Sequence, residues 1–145
     1  MQAVLLFVLA GLIGGIAVGL QSPLASLIGQ KLGLMESVFI LHMGGALLSG
    51  VILLFAGGGT LGQWRTVPWY ALIAGTFGLV IIAAVNYTIP QLGTTTTIAL
   101  VVCGQFLIGL IIDHFGLLGV AVHPIDVTRL LGIGVLFVGI YLIMR

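Results

Sequence analysis

The sequence predicts an all-α integral membrane protein, a single domain of five transmembrane helices over residues 1–145, and three observations carry that expectation. The chain is 61% hydrophobic and only 5% charged, with a mean hydropathy of +1.38, whereas charged residues make up roughly 25% of a soluble domain. Its apolar residues fall into five runs of about 20 residues, the length a helix needs to cross a bilayer, joined by short loops. Its four Lys and Arg residues divide evenly between the two sides that five spans create, which favours insertion in both orientations and hence an antiparallel, inverted dimer. Five spans in a chain of 145 residues leave no room for a soluble domain, so the chemistry is expected within the membrane.

The first span is expected over residues 3–20. Gly11, Gly15 and Gly19 recur every four positions, which puts three positions without side chains on one helix face where another backbone can approach closely. The run lacks a Lys/Arg-rich start and an A-x-A-like cleavage site, so it reads as a retained span and not as a signal peptide. It is expected to end at Gln21, Ser22 and Pro23, because proline removes a backbone donor and ends or kinks a helix. A helix interrupted beside a polar Gln21 is also a way to build a binding site near the bilayer midplane. Residues 24–34, with Gln30 and Lys31, continue that helix or connect it to the next.

The second span is expected over residues 35–56. Glu36 falls in its first turn, where the helix dipole and free N–H groups stabilise a carboxylate by about 0.3–1 kcal/mol. The functional alternative is a protonatable carboxylate facing the helix bundle, where it binds a cation or exchanges it for a proton. His42 lies six positions further on, about 600° around the helix, so the two do not share a face.

Gly57, Gly58, Gly59 and Thr60 through Gln63 carry turn chemistry. Trp64, Arg65, Trp69 and Tyr70 around Pro68 form a belt of interfacial anchors. A third span follows over residues 69–87, with Gly75 and Gly78 as small contact positions, and closes near Asn86, Tyr87 and Pro90. Asn86 and Tyr87 are candidates to line a cavity, although an Asn ahead of a Pro is also ordinary helix-end chemistry.

The fourth span, residues 93–114, would be about 33 Å long as a helix, which matches a hydrocarbon core. Gln105 lies near its midpoint, where an unpaired amide is costly. Thr94, Thr95, Thr96 and Thr97 are expected to cap the helix or to bond carbonyls of the preceding turn. Asp113 faces the unfavourable end of the helix dipole and needs interfacial water, a ligand or a partner such as Arg129. His114 is favoured at that end, and Gly116 is expected as the C-cap. Residues 119–124 form a loop, Asp126 caps the fifth span over residues 127–144, and Asp126 and Arg129 are expected to pair locally.

Some functions are excluded. A net charge of +1 is no nucleic-acid footprint. The lone Cys103 offers neither a disulfide nor a Cys-based metal site. Ser22, Ser26, Ser37 and Ser49 stand in no nucleophile motif, and the His residues with Asp113 form no metal pattern, so no enzyme, cofactor or metal is expected. For orientation, Arg65 and Arg129 lie on the N-terminal side and Lys31 and Arg145 on the other, with the Met1 amine able to tip the balance.

VPWYALIAG at 67–75, Gly93 with GQFLIGLIIDHFGLLG at 104–119, and Arg129 within RLLGIGVLFVGIYLI at 129–143 resemble the YdcZ-type small membrane proteins of the drug/metabolite transporter superfamily. The resemblance extends over essentially the whole chain, most specifically at Gly104-Gln105 and Asp113-His114-Phe115-Gly116. Where such proteins carry an Asn four residues after the Gln that ends the first span, this chain has Ala25. The resemblance implies a five-helix unit acting as a dual-topology homodimer, an oppositely oriented pair or a fused ten-helix protein, with a transport function in a bacterial inner membrane. The expectation is a secondary transporter that exports a small solute by alternating access. Glu36 and His42 are the candidates for proton coupling, and Gln21, Asn86, Tyr87 and Gln105 the candidates to line the pathway. The partners expected are the bilayer, a small-molecule substrate and a second, antiparallel copy. The alternative is a non-transporting structural or accessory subunit, whose glycine seam packs against another protein.

Overall fold

A computed structural model describes residues 2–145, with side chains from Val4 onward; Met1, whose amine bears on the charge balance, lies outside the described residues. The described residues contain helices and no strand. Five helices are long and apolar enough to cross a membrane, Val4–Leu32, Leu34–Phe55, Trp69–Leu92, Thr94–Phe115 and Val127–Met144. They group into two compact units, Met1–Pro90 and Gln91–Arg145.

In the first unit, α1 runs from Gln2 to Leu32 with Pro23 inside it; of the two readings for residues 24–34, the continuation of the helix is the one present, and the span bound at residue 20 is corrected. Pro23 deprives the Gly19 carbonyl of its usual donor. The neighbouring Ser22 hydroxyl donates to the Val18 carbonyl at 2.8 Å, a bond within the same turn, and the helix continues past the proline. Gly33 alone separates α1 from α2 (Leu34–Phe55), with φ of 118°, and Gly93 with φ of 79° opens the last long hairpin. Both angles suit glycine because residues with a side chain rarely adopt a positive φ.

The third span also differs from its expected form. A single turn, α3 (Trp69–Leu72), is followed by a 3₁₀ turn at Ala74–Thr76 and then by α4 (Phe77–Leu92). The break falls at Ile73, whose carbonyl accepts the Thr76 hydroxyl at 2.7 Å. An interruption is therefore present, but at the start of the third span and not at Pro23. The helix then continues past Asn86 and through Pro90 to Leu92, while the Thr88 hydroxyl donates to the Ala84 carbonyl at 2.7 Å. Ahead of it, a 3₁₀ segment Leu61–Thr66 carries Arg65 over the Trp64 ring at 5.4 Å, and Trp69 meets Tyr70 edge to face at 6.2 Å.

Packing in this unit is concentrated on one stripe of α1. Ser22, Ala25 and Ser26 are buried, and with Gly29 they recur at the i, i+3, i+4, i+7 spacing of one helix face. Ser37 of α2 is fully buried and its hydroxyl donates to the Ala25 carbonyl at 2.8 Å. Small residues let the two backbones approach closely enough for this bond. By contrast, a Cβ added at Gly11, Gly15 or Gly19 would meet no atom within 4 Å.

The second unit is a helical hairpin of α5 (Thr94–Phe115) and α6 (Val127–Met144), close to the expected bounds. Gly116 caps α5 in the left-handed conformation, φ 63° and ψ 34°. Asp126 caps α6, its carboxylate accepting the Arg129 backbone N–H at 2.7 Å. The threonine run behaves otherwise than expected at Thr97, which is buried and whose hydroxyl has no partner among the described residues.

Candidate functional site

The end of the hairpin is held by a connected set of polar contacts. The backbone N–H of His123 donates to the Asp113 carbonyl at 2.8 Å, and that of Ile125 donates to His114 Nδ1 at 3.1 Å. An N–H can only donate, so Nδ1 presents its lone pair there. The His114 ring also packs edge-on against Phe115 at 4.7 Å. Arg129 Nη1 donates to the His123 carbonyl at 3.1 Å and lies 3.6 Å from the Asp113 carboxylate. The Asp113-His114-Phe115-Gly116 run thus folds the loop back onto α5. The guanidinium of Arg129 turns to Asp113, and only the backbone of Arg129 engages Asp126, which corrects the expectation of a local side-chain pair.

Beside this ion pair the hairpin opens a cavity of about 630 Å³ between α5 and α6. Gln105, Asp113 and Arg129 supply its polar groups, and Phe106, Leu110 and Leu136 are among its apolar walls. Gly109 and Gly132 also line it, and a Cβ at either would meet nothing within 4 Å. A second, almost wholly apolar cavity of about 470 Å³ shares Val102 and Leu136 with the first and reaches Ile143. The hairpin therefore carries an apolar groove with an amide part-way along it and an ion pair at one end.

Other predicted residues lie in the first unit. Glu36 is exposed in the first turn of α2, its carboxylate folded over Gly33. His42 Nδ1 donates to the Val38 carbonyl at 2.8 Å, which leaves Nε2 facing Gly78 of α4. Glu36 and His42 share no contact. Asn86 of α4 lies against Gly29 of α1, with both amide atoms buried and unpaired among the described residues. Gln21 and Tyr87 are exposed. Among the described residues, no group of His, Cys, Asp and Glu could hold a metal ion. Sequence reasoning named Arg129 as one possible partner of Asp113, which the ion pair bears out, but missed it as a cavity wall. It also missed the stripe Ser22, Ala25, Ser26 and Gly29, although its spacing is plain once the helix is known to pass Pro23.

Five span-length apolar helices, with charged groups near helix ends and loops, define a multi-pass integral membrane protein. Residues 6–142 match the family model described as "Putative inner membrane exporter, YdcZ". The chain belongs to the YdcZ family and is a multi-pass protein of the inner membrane, as the resemblance implied. No curated protein and no solved structure matches the chain.

Proposed function

We propose that the chain is a secondary transporter that exports a small amphipathic solute by alternating access, as an antiparallel homodimer. The observation that carries this reading is the α5–α6 cavity: about 630 Å³, apolar along its walls, with Gln105 and the Asp113–Arg129 pair converging on it. A small-molecule site is typically concave and apolar, with a few placed polar groups. The even division of Lys and Arg between the two sides supports the inverted pair. Gly11, Gly15 and Gly19, open within the single chain, offer a seam for the second copy. Glu36 and His42 are the groups assigned to proton coupling, with Gln21, Asn86, Tyr87 and Gln105 along the pathway.

The test uses proteoliposomes and a fixed panel of ethidium, leucine, 3-methylbutylamine and 4-methylpentanoate. Gly132→Trp fills the cavity with a side chain for which the backbone position has space. At least one panel member should cross faster with the wild-type chain than with Gly132→Trp. Equal rates for the whole panel would reject transport through this cavity and favour an accessory subunit that packs through its glycine seam.

A further inference from the structure

We infer that the α5–α6 cavity selects an amphipathic zwitterion, a ligand with an ammonium and an acidic group within a few bonds of each other and an apolar tail; the inference rests on the transport reading above and names its substrate class. The cavity's charged groups are one carboxylate, Asp113, and one guanidinium, Arg129, both at the same end. Their separation of 3.6 Å is longer than a charge-assisted hydrogen bond of about 2.7–2.9 Å. The side chains are 38% and 37% exposed, so each is accessible from the cavity. Arg129 Nη1 is already engaged with the His123 carbonyl, which anchors the guanidinium while its other N–H groups stay available.

A ligand with a single charge can pair with only one of these groups, and it leaves the other ion without its counter-charge beside an apolar wall. The pair is partly exposed, so the cost arises when a ligand covers it: the ion left without a counter-charge loses its water and gains no partner. A zwitterion exchanges one ion pair for two, its acid group on Arg129 and its ammonium on Asp113, and the site stays neutral. Gln105 lies two helical turns from Asp113 on α5, about 12 Å along the axis, past the head group and beside the tail. Phe106, Leu110, Ile133 and Leu136 then receive the tail. Specificity of this kind works by rejection as much as by attraction. Free aliphatic amino acids and zwitterionic phospholipid head groups share this chemistry.

The experiment measures binding, which separates it from the transport test. The full-length protein in phosphatidylglycerol nanodiscs is titrated with leucine, with 3-methylbutylamine, which lacks the carboxylate, and with 4-methylpentanoate, which lacks the ammonium. Leucine should bind at least about tenfold more tightly than either, a difference of about 1.4 kcal/mol. Asp113→Asn should reverse the order in favour of the acid, and Arg129→Gln in favour of the amine. Gly132→Leu keeps the ion pair and fills the cavity, so it should lose all three, while the ligand that each charge variant still binds shows that variant to be folded. Competition with leucine by phosphatidylethanolamine added to the nanodiscs supports the same chemistry and identifies a lipid as its source. An amine or acid that binds the wild type as well as leucine does, or the absence of leucine binding in phosphatidylglycerol, overturns the inference. Leucine binding together with equal rates for the whole panel leaves the zwitterion site standing and removes transport through this cavity. Absence of leucine binding while a panel member still crosses faster with the wild type does the reverse.

Discussion

The Asn86 carboxamide of α4 rests directly on Gly29 of α1, and a Cβ built at that glycine would lie 2.7 Å from Asn86 Cγ. The contact joins the third span to the first through a polar group, because only a residue without a side chain leaves room for the amide. Gly29→Ala should therefore force Asn86 to move and cost about 1–3 kcal/mol, the range for overpacking a well-filled site. Thermal unfolding in detergent measures it. The Gly29→Ala/Asn86→Ala double variant should recover most of the loss, which identifies the pair as the cause.

Asn86 has a second property, since neither Oδ1 nor Nδ2 finds a partner among the described residues although both are buried. An unsatisfied buried polar group costs about 1–3 kcal/mol, and an apolar replacement of similar shape removes that cost. Asn86→Leu should accordingly be as stable as the wild type or more so. If the amide serves a passing polar solute, the same variant should transport the panel more slowly. A stable variant with unchanged transport would remove Asn86 from the pathway.

Glu36 is exposed at the start of α2 and does not meet His42. If it couples transport to protons, Glu36→Gln should remain folded and move substrate down its gradient at the same rate with and without a pH difference. A wild-type proton dependence in that variant would leave Glu36 with the helix-start role alone.

The Asp113–Arg129 pair is more than a third exposed on both sides, and solvent screening limits such a pair to about 1 kcal/mol or less. Asp113→Asn should thus barely change the unfolding midpoint while it alters ligand preference. A large loss of stability would mean that the pair holds the hairpin together instead of facing a ligand.

Topology gives the last test. Fusions at Arg145 of one reporter active only in the cytoplasm and of another active only in the periplasm should both report, since Arg65 and Arg129 balance Lys31 and Arg145. A single active reporter would exclude self-pairing in opposite orientations and point to an oppositely oriented partner.

The sequence by itself determined the solvent, the class and the family. Composition and run length require membrane-crossing helices, because a bilayer satisfies backbone groups only within such elements. Helix ends were legible where a local signal decides them, as at Asp126, Gly93 and Gly116. They were less legible at Pro23, where continuation of the helix was one of two open readings, and at Pro90, past which the helix runs on to Leu92. Only the tertiary structure decided that the small stripe used within the chain is Ser22, Ala25, Ser26 and Gly29, that Asn86 seats on Gly29, and that Arg129 turns to Asp113 across a cavity. The physical reason is that glycine spacing and charge spacing specify which faces can come close. Which ones do is settled by how residues far apart in the chain fill the same space.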